Sequence, residues 1–307
     1  MSLLTQPNEL KNKITFSGLI YGQPGIGKTT LALSAPNPVC IDTDKGMYRV
    51  EKRFQVPSLQ VDNYSQVLEL LNGPELAGFD TIVFDTLGKL IDRIADYVCL
   101  DNPKLRQADG QLAMKGWGAV KTTFTNLVKL LGSKGKSVIF VAHESEEKDG
   151  EATKKRPDVS GSARKDIIKE LDWMGYMEAS GNKRTICFSP TDKFYAKNSC
   201  GLDNVLEIPS LDHGNTFITD KILGAIKARQ EQDNAELDKY NNIKIEINKL
   251  VANATAETLN EVKDAIAKLP VIWDSKIYAW HSLTEKATQL GATYNKETKL
   301  FEAKNAK

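Results

Sequence analysis

The sequence predicts an α/β fold: a mostly parallel sheet with helices on its faces, an antiparallel edge hairpin and a small α-helical C-terminal region. Three observations predict it. A glycine-rich loop, Gly22-Gln-Pro-Gly-Ile-Gly-Lys-Thr29, sits between a short apolar run and a helical stretch. Further apolar runs alternate with amphipathic stretches, the pattern of a parallel sheet. Residues 173–179 and 185–189 then alternate across a Ser180-Gly-Asn182 turn, and helical spacing takes over from Asp220.

The elements follow in order. Phe16-Ser-Gly-Leu-Ile-Tyr21 is short, apolar and aromatic, and reads as a buried strand. The loop after it fits G-x-x-x-x-G-K-[ST], whose backbone N–H groups wrap the phosphates of a nucleoside triphosphate. Gly22, Gly25 and Gly27 let the backbone close on phosphate oxygens with no Cβ in the way. Lys28 brings an ammonium to the β- and γ-phosphates, and the Thr29 hydroxyl completes a Mg²⁺ shell. Residues 28–34 read as helix stopped by Pro36, so phosphate is delivered to a helix N-terminus. The candidate nucleotide-binding residues are Gly22, Gln23, Pro24, Gly25, Ile26, Gly27, Lys28, Thr29 and Thr30.

Pro38-Val-Cys-Ile41 reads as a second strand running into Asp42-Thr-Asp44, carboxylates at the edge of the sheet where ligands bind. Tyr64, Val67, Leu68 and Leu71 fall at helical spacing, with Asp62 or Asn63 as N-cap. Thr81-Ile-Val-Phe-Asp85 is an apolar run ending in one carboxylate, the form of a Mg²⁺-ordering strand, so Thr29 and Asp85 are the candidate metal ligands. Leu87, Leu90, Ile91, Ile94 and Val98 mark a helix. Periodicity is lost over residues 100–118, a stretch holding Lys104, Arg106, Lys115 and Trp117. Val120, Phe124, Leu127 and Leu131 resume a helix, and Ser137-Val-Ile-Phe-Val-Ala142 is a buried strand followed directly by His143. Residues 144–161 are charged and turn-rich and contain Lys154-Lys-Arg156; Val205-Leu-Glu-Ile208 adds a last short strand.

The C-terminal third shows three helical stripes: Leu237, Tyr240, Ile243, Ile247 and Leu250; then Leu259, Val262, Ile266 and Leu269, with Thr255 as N-cap; then Ile277, Trp280, Leu283, Ala287 and Leu290. Residues 293–307 are polar and expected to be loosely held. The expected division is a core over residues 1–219, a helical domain over 220–291 and a tail over 292–307.

Composition bounds the function. A net charge of +1 means that nucleic-acid binding has to come from local basic patches. Cys40, Cys99, Cys187 and Cys200 form no C-x-x-C pair, which argues for free thiols in a reducing compartment and against a zinc site. No apolar run approaches the ~18 residues of a membrane span, and the first residues are too polar for a signal peptide, so a cytoplasmic protein is expected.

On these residues the chain resembles the RecA-like P-loop ATPases, and more narrowly the phage-encoded RecA-core proteins classed with single-strand annealing recombinases. The resemblance covers residues 16–209 and rests on the P-loop, the Asp42-Thr-Asp44 strand end and Thr81-Ile-Val-Phe-Asp85. It implies ATP and Mg²⁺ as cofactors and ATP hydrolysis as the reaction. Asp44 takes the place of the carboxylate that orients the attacking water, one carbon shorter than the family's usual Glu, with Asp42 as its rival. His143 takes the place of the γ-phosphate sensor, handing its signal to a DNA-binding loop over residues 144–164, with Lys154, Lys155, Arg156 and Arg164 as contacts. Residues 100–118 match the first DNA-binding loop, with Lys104, Arg106 and Lys115. Ala196-Lys-Asn-Ser199 resembles an element reaching a neighbour's nucleotide, leaving Lys197 as the trans-acting cation because Ser199 replaces the second basic residue. The implied partners are single-stranded DNA, further copies in a ring or filament, and a single-stranded DNA-binding protein.

Two other readings compete. A small-molecule kinase needs a lid carrying several arginines, and no such cluster is evident along the sequence. A nucleotide-gated scaffold or loader would bind ATP, hydrolyse it poorly and contact partners through the C-terminal helices; the short Asp44 favours it.

Overall fold

The computed structural model describes residues 15–149, 152–160, 164–211 and 214–303. Two compact units divide the chain between Ala228 and Arg229. The first is built on a mixed sheet. Six strands run parallel in the order β3 (Ser58–Gln60), β2 (Pro38–Asp42), β4 (Thr81–Asp85), β5 (Ser137–Asp149), β1 (Ser17–Gly22) and β7 (Trp173–Ser180). The antiparallel strands β8 (Lys183–Cys187) and β10 (Val205–Ile208) complete that edge. The expected fold class is the one observed.

The parallel strands are buried on both faces, which is why they read as apolar runs and not as alternating patterns. Leu19, Tyr21, Ile82, Phe84, Val138 and Phe140 face a core shared with α2 (Tyr64–Asn72), α3 (Leu87–Asp101) and α4 (Met114–Ser133). Ile20, Cys40, Val83, Ile139 and Val141 face the opposite core, which takes in Leu31 and Ala32 of α1 (Lys28–Ala32) and Trp173. Gly18 stands beside Trp173 in register, and a Cβ there would lie 2.1 Å from the indole, so the glycine makes room for the largest side chain of that core. At the start of α2, Asn63 and Gln66 form a reciprocal capping box.

Several expectations change. Residues 100–118 are mostly ordered: α3 runs to Asp101, α4 begins at Met114, and the segment between is drawn into a tight loop by an Arg106–Leu112 bridge. Trp117 packs against the core from the first turns of α4. The charged stretch after His143 is a hairpin and not a loop. β5 continues past His143 to Asp149 and pairs with β6 (Ala152–Pro157), so that Glu146 faces Lys155 and Glu147 faces Lys154 across the strands. Residues 161–163, within the expected DNA-binding loop, and the Arg164 side chain lie outside the described residues; the backbone of Arg164 opens α5 (Arg164–Lys169). The four cysteines are free thiols, Cys40, Cys99 and Cys187 being buried.

The second unit has its own core. α6 (Gly224–Ala252) contributes Ile243, Ile247 and Val251; α7 (Leu259–Ala267) contributes Leu259; α8 (Ser275–Gln289) contributes Ala279, Leu283 and Ala287. The buried stripe of α8 is thus rotated from the expected one, leaving Ile277 and Trp280 61% and 40% exposed. Thr258, not Thr255, stands at the N-cap position of α7, with its Oγ1 accepting from Thr255 N and not from the helix. The expected polar tail is also corrected: β11 (Ala292–Asn295) and β12 (Leu300–Ala303) form a hairpin, and Phe301 is buried against the helices. Asn260 holds it from both sides, accepting from Phe301 N and donating to Phe301 O.

Candidate functional site

Strand register brings the polar strand ends to one edge of the sheet. Gly22 lies opposite His143, Asp42 opposite Asp85, and Asp85 opposite Val141. This carboxyl edge of a parallel sheet is where α/β proteins bind ligands. The cleft there has a volume of about 270 Å³ and is lined by Gly25, Gly27, Lys28, Thr29 and Thr30 from the loop, by Asp44, Gly46, Arg49 and Val50 after β2, and by Asp85, Thr86, Val141 and His143.

Gly27 caps α1 at φ 95°, a left-handed conformation that a side chain would strain. Lys28 is 5% exposed and donates to the Gln23 carbonyl at 2.6 Å, folding the ammonium back over the loop. Burial pulls the Lys28 ammonium down to about 8, with the charges of Asp85 and Glu144 opposing that shift. Thr29 Oγ1 donates to Asp85 Oδ2 at 2.6 Å, so hydroxyl and carboxylate already converge. Burial holds the Asp85 carboxyl above the usual range, against the Thr29 hydrogen bond, while Asp42 and Asp44 add to the rise. A divalent cation would relieve that crowding of negative charge, and the Thr–Asp oxygen pair is the hard donor set that magnesium takes together with phosphate oxygens. Thr29 and Asp85 fit the metal, and the loop fits the nucleotide.

The two acids at the end of β2, Asp42 within it and Asp44 just beyond, have different jobs. Both Asp42 oxygens accept turn amides, from Gly46 at 2.9 Å and Met47 at 3.0 Å, and the side chain is buried. It therefore shapes the turn. Asp44 lines the cleft with its carboxylate 3.7 Å from the Arg49 guanidinium, and its N–H donates to Asp85 O, tying the acid to the end of β4. His143 also lines the cleft; its Nδ1 is buried and has no hydrogen-bond partner among the described residues, an atom left for a ligand to satisfy.

The remaining sequence candidates lie elsewhere. Lys197 sits in β9 (Lys197–Asn198), which pairs with Trp173 and Met174 of β7, whereas the loop end of the sheet lies at Met177. Its Nζ donates to the carbonyls of Lys169 and Leu171, so its own chain holds it away from the cleft. Arg106 donates to Asp96 and Gly110 O, while Lys104 and Lys115 are exposed. Period-two alternation puts Lys154 and Arg156 on one face of β6 and Lys155 on the other. Lys154 Nζ stands 4.4 Å from the Tyr195 ring centroid, while Lys155 bridges Glu144 at 3.0 Å and Glu146 at 2.6 Å, which raises its ammonium pKa.

A loop, a carboxylate–hydroxyl pair, a second acid and a histidine at one sheet edge define a P-loop nucleoside-triphosphatase core. Over residues 15–200 the chain matches the family model for the AAA domain, more than half of its length, and it belongs to that family of P-loop ATPases. No curated protein matches it. Among the described residues no helix is long and apolar enough to cross a membrane.

Proposed function

We propose that this protein hydrolyses ATP with Mg²⁺ and uses the nucleotide state to bind single-stranded DNA, promoting annealing or strand exchange in phage DNA recombination or repair. One observation carries the coupling. The β5–β6 hairpin is continuous with His143, and Tyr21, one residue before the P-loop, donates its hydroxyl proton to the Tyr195 carbonyl, with the Lys155 carbonyl 3.3 Å away. A shift at the γ-phosphate end of the cleft therefore has a short mechanical path into the hairpin.

The roles follow from placement. The loop amides and Lys28 bind the phosphates, and Thr29 and Asp85 hold the cation, which supplies charge neutralisation at the transferring phosphoryl group. Asp44 orients and deprotonates the attacking water, and His143 reads the γ-phosphate. Lys154 and Arg156 then meet the DNA backbone on one face of the hairpin. Further copies of the chain assemble along the strand, alongside a single-stranded DNA-binding protein.

A second reading is favoured by one feature. Ile277, Trp273 and Trp280 are exposed on the C-terminal unit, a surface suited to a protein partner of a nucleotide-gated loader. ATP turnover measured with and without single-stranded DNA tests the choice. Stimulation by the DNA, rising with protein concentration, is expected. Turnover indifferent to DNA, with no DNA binding in any nucleotide state, would move the function to the loader.

A further inference from the structure

A second cleft, of about 410 Å³, adjoins the first; the two share Gly27, Thr30 and Arg49. It brings Arg49, Arg53 and Arg184 together from segments far apart in the chain. Glu51 is the one acid among its lining residues, and Glu51 is already paired with Arg53 Nε at 2.8 Å. Arg184 is different. Among the described residues its side chain has no hydrogen bond or ion pair, and its Nη1 lies 3.3 Å from where a Cβ on Gly27 would stand. Its backbone is fixed on both sides, opposite Ala179 of β7 and Ile208 of β10. Strand alternation puts it on the face of buried Ile186, towards the core that holds α1, and puts Lys183 on the other face.

The direction of the bound phosphates follows from the first cleft. Asp85 and His143 line it from neighbouring strands at the sheet edge, where hydrolysis requires the γ-phosphate. The chain of phosphates then leaves across Gly27 and Thr30 into the second cleft, past Arg184. We infer that Arg184 is a nucleotide-binding residue, a guanidinium of the same subunit that contacts the α-phosphate. It is not a mobile lid, because its strand is hydrogen-bonded on both sides. This inference rests on the nucleotide reading of the cleft and deepens it.

The test is equilibrium binding of ADP, of a non-hydrolysable ATP analogue and of inorganic tripolyphosphate, for wild type, Arg184→Ala, Arg184→Lys and Lys183→Ala. A lost charge-assisted bond should weaken all three ligands by roughly tenfold to a hundredfold in Arg184→Ala. Arg184→Lys should recover part of that loss, and Lys183→Ala should bind as wild type, with melting temperatures alike. Unchanged ADP affinity in Arg184→Ala overturns the inference. So does a loss limited to the triphosphate analogue, which would place the side chain at the γ-phosphate, or a loss that spares tripolyphosphate, which would place it on the nucleoside. A loss seen only where subunits associate would assign it to a neighbour's site and also overturns it. The nucleotide reading fails separately, if wild type binds none of these ligands or Lys28→Ala binds them as well as wild type does.

Discussion

Lys28 shows how a single residue ties binding to pH. Its folded-state pKa, about 8, lies below the ordinary 10.5, so an unoccupied cleft favours the neutral amine as pH rises. Stability from this group is present above the unfolded value and is lost as pH falls through about 8. Bound phosphates need the ammonium, so binding takes up a proton above that point. Nucleotide affinity should therefore hold below pH 8 and fall by up to about tenfold per unit above it, as titrations in buffers of different ionisation enthalpy would show. Lys28→Ala should remove both the affinity and its pH dependence; an unchanged profile would refute the assignment. The two acids separate in the same way. Asp44→Asn should keep ATP and Mg²⁺ binding and lose most turnover, since an amide cannot accept the water's proton. Asp85→Asn should instead weaken the Mg²⁺ requirement. Equal metal loss in both variants would contradict the division of roles.

At the scale of the element, the hairpin decides which basic residues remain available. Lys155 is committed to Glu144 and Glu146, and Glu144 also accepts from the Tyr176 hydroxyl at 3.0 Å. Lys154 and Arg156 share the other face. Each phosphate contact on single strands contributes about 0.7 to the salt slope of binding. Lys154→Ala with Arg156→Ala should flatten that slope by roughly 1.4 in the presence of a non-hydrolysable ATP analogue, whereas Lys155→Ala should leave it in place. Parallel slopes for wild type and the double variant would take the hairpin off the DNA path.

For the whole molecule, two units that each bury their own hydrophobic residues imply two separable stabilities. Phe301 is buried in the second unit, in ring contact with Trp280 and Tyr294. Phe301→Ala should cost about 3–5 kcal/mol of that unit's stability, through lost transfer energy and a cavity. Denaturant unfolding should show the loss in one transition, while nucleotide affinity stays at the wild-type value. A parallel loss of nucleotide binding would show the units to be energetically coupled.

The sequence by itself determined the sheet, its glycine-rich loop and the pairing of a hydroxyl, Thr29, with a strand-end carboxylate, Asp85. Those features are local: a strand buried on both faces must be apolar throughout, and a loop closing on phosphate needs glycine, lysine and a hydroxyl within a few residues. Asp85 was legible because it ends such a strand, and His143 because it follows the next apolar run directly. Contacts between distant segments decided the rest. Asp42 and Asp44 look alike in sequence, yet turn amides engage one and leave the other facing the cleft. The charges after His143 read as a loop because Glu and Lys are polar at every position; only cross-strand pairing of opposite charges makes them a hairpin. Lys197 matched a pattern for reaching a neighbour's nucleotide, and sheet register sets it away from the loop end of its own chain. Arg184 matched none, and the sheet register set it beside Gly27, because strand pairing joins residues whose separation along the chain carries no local signal.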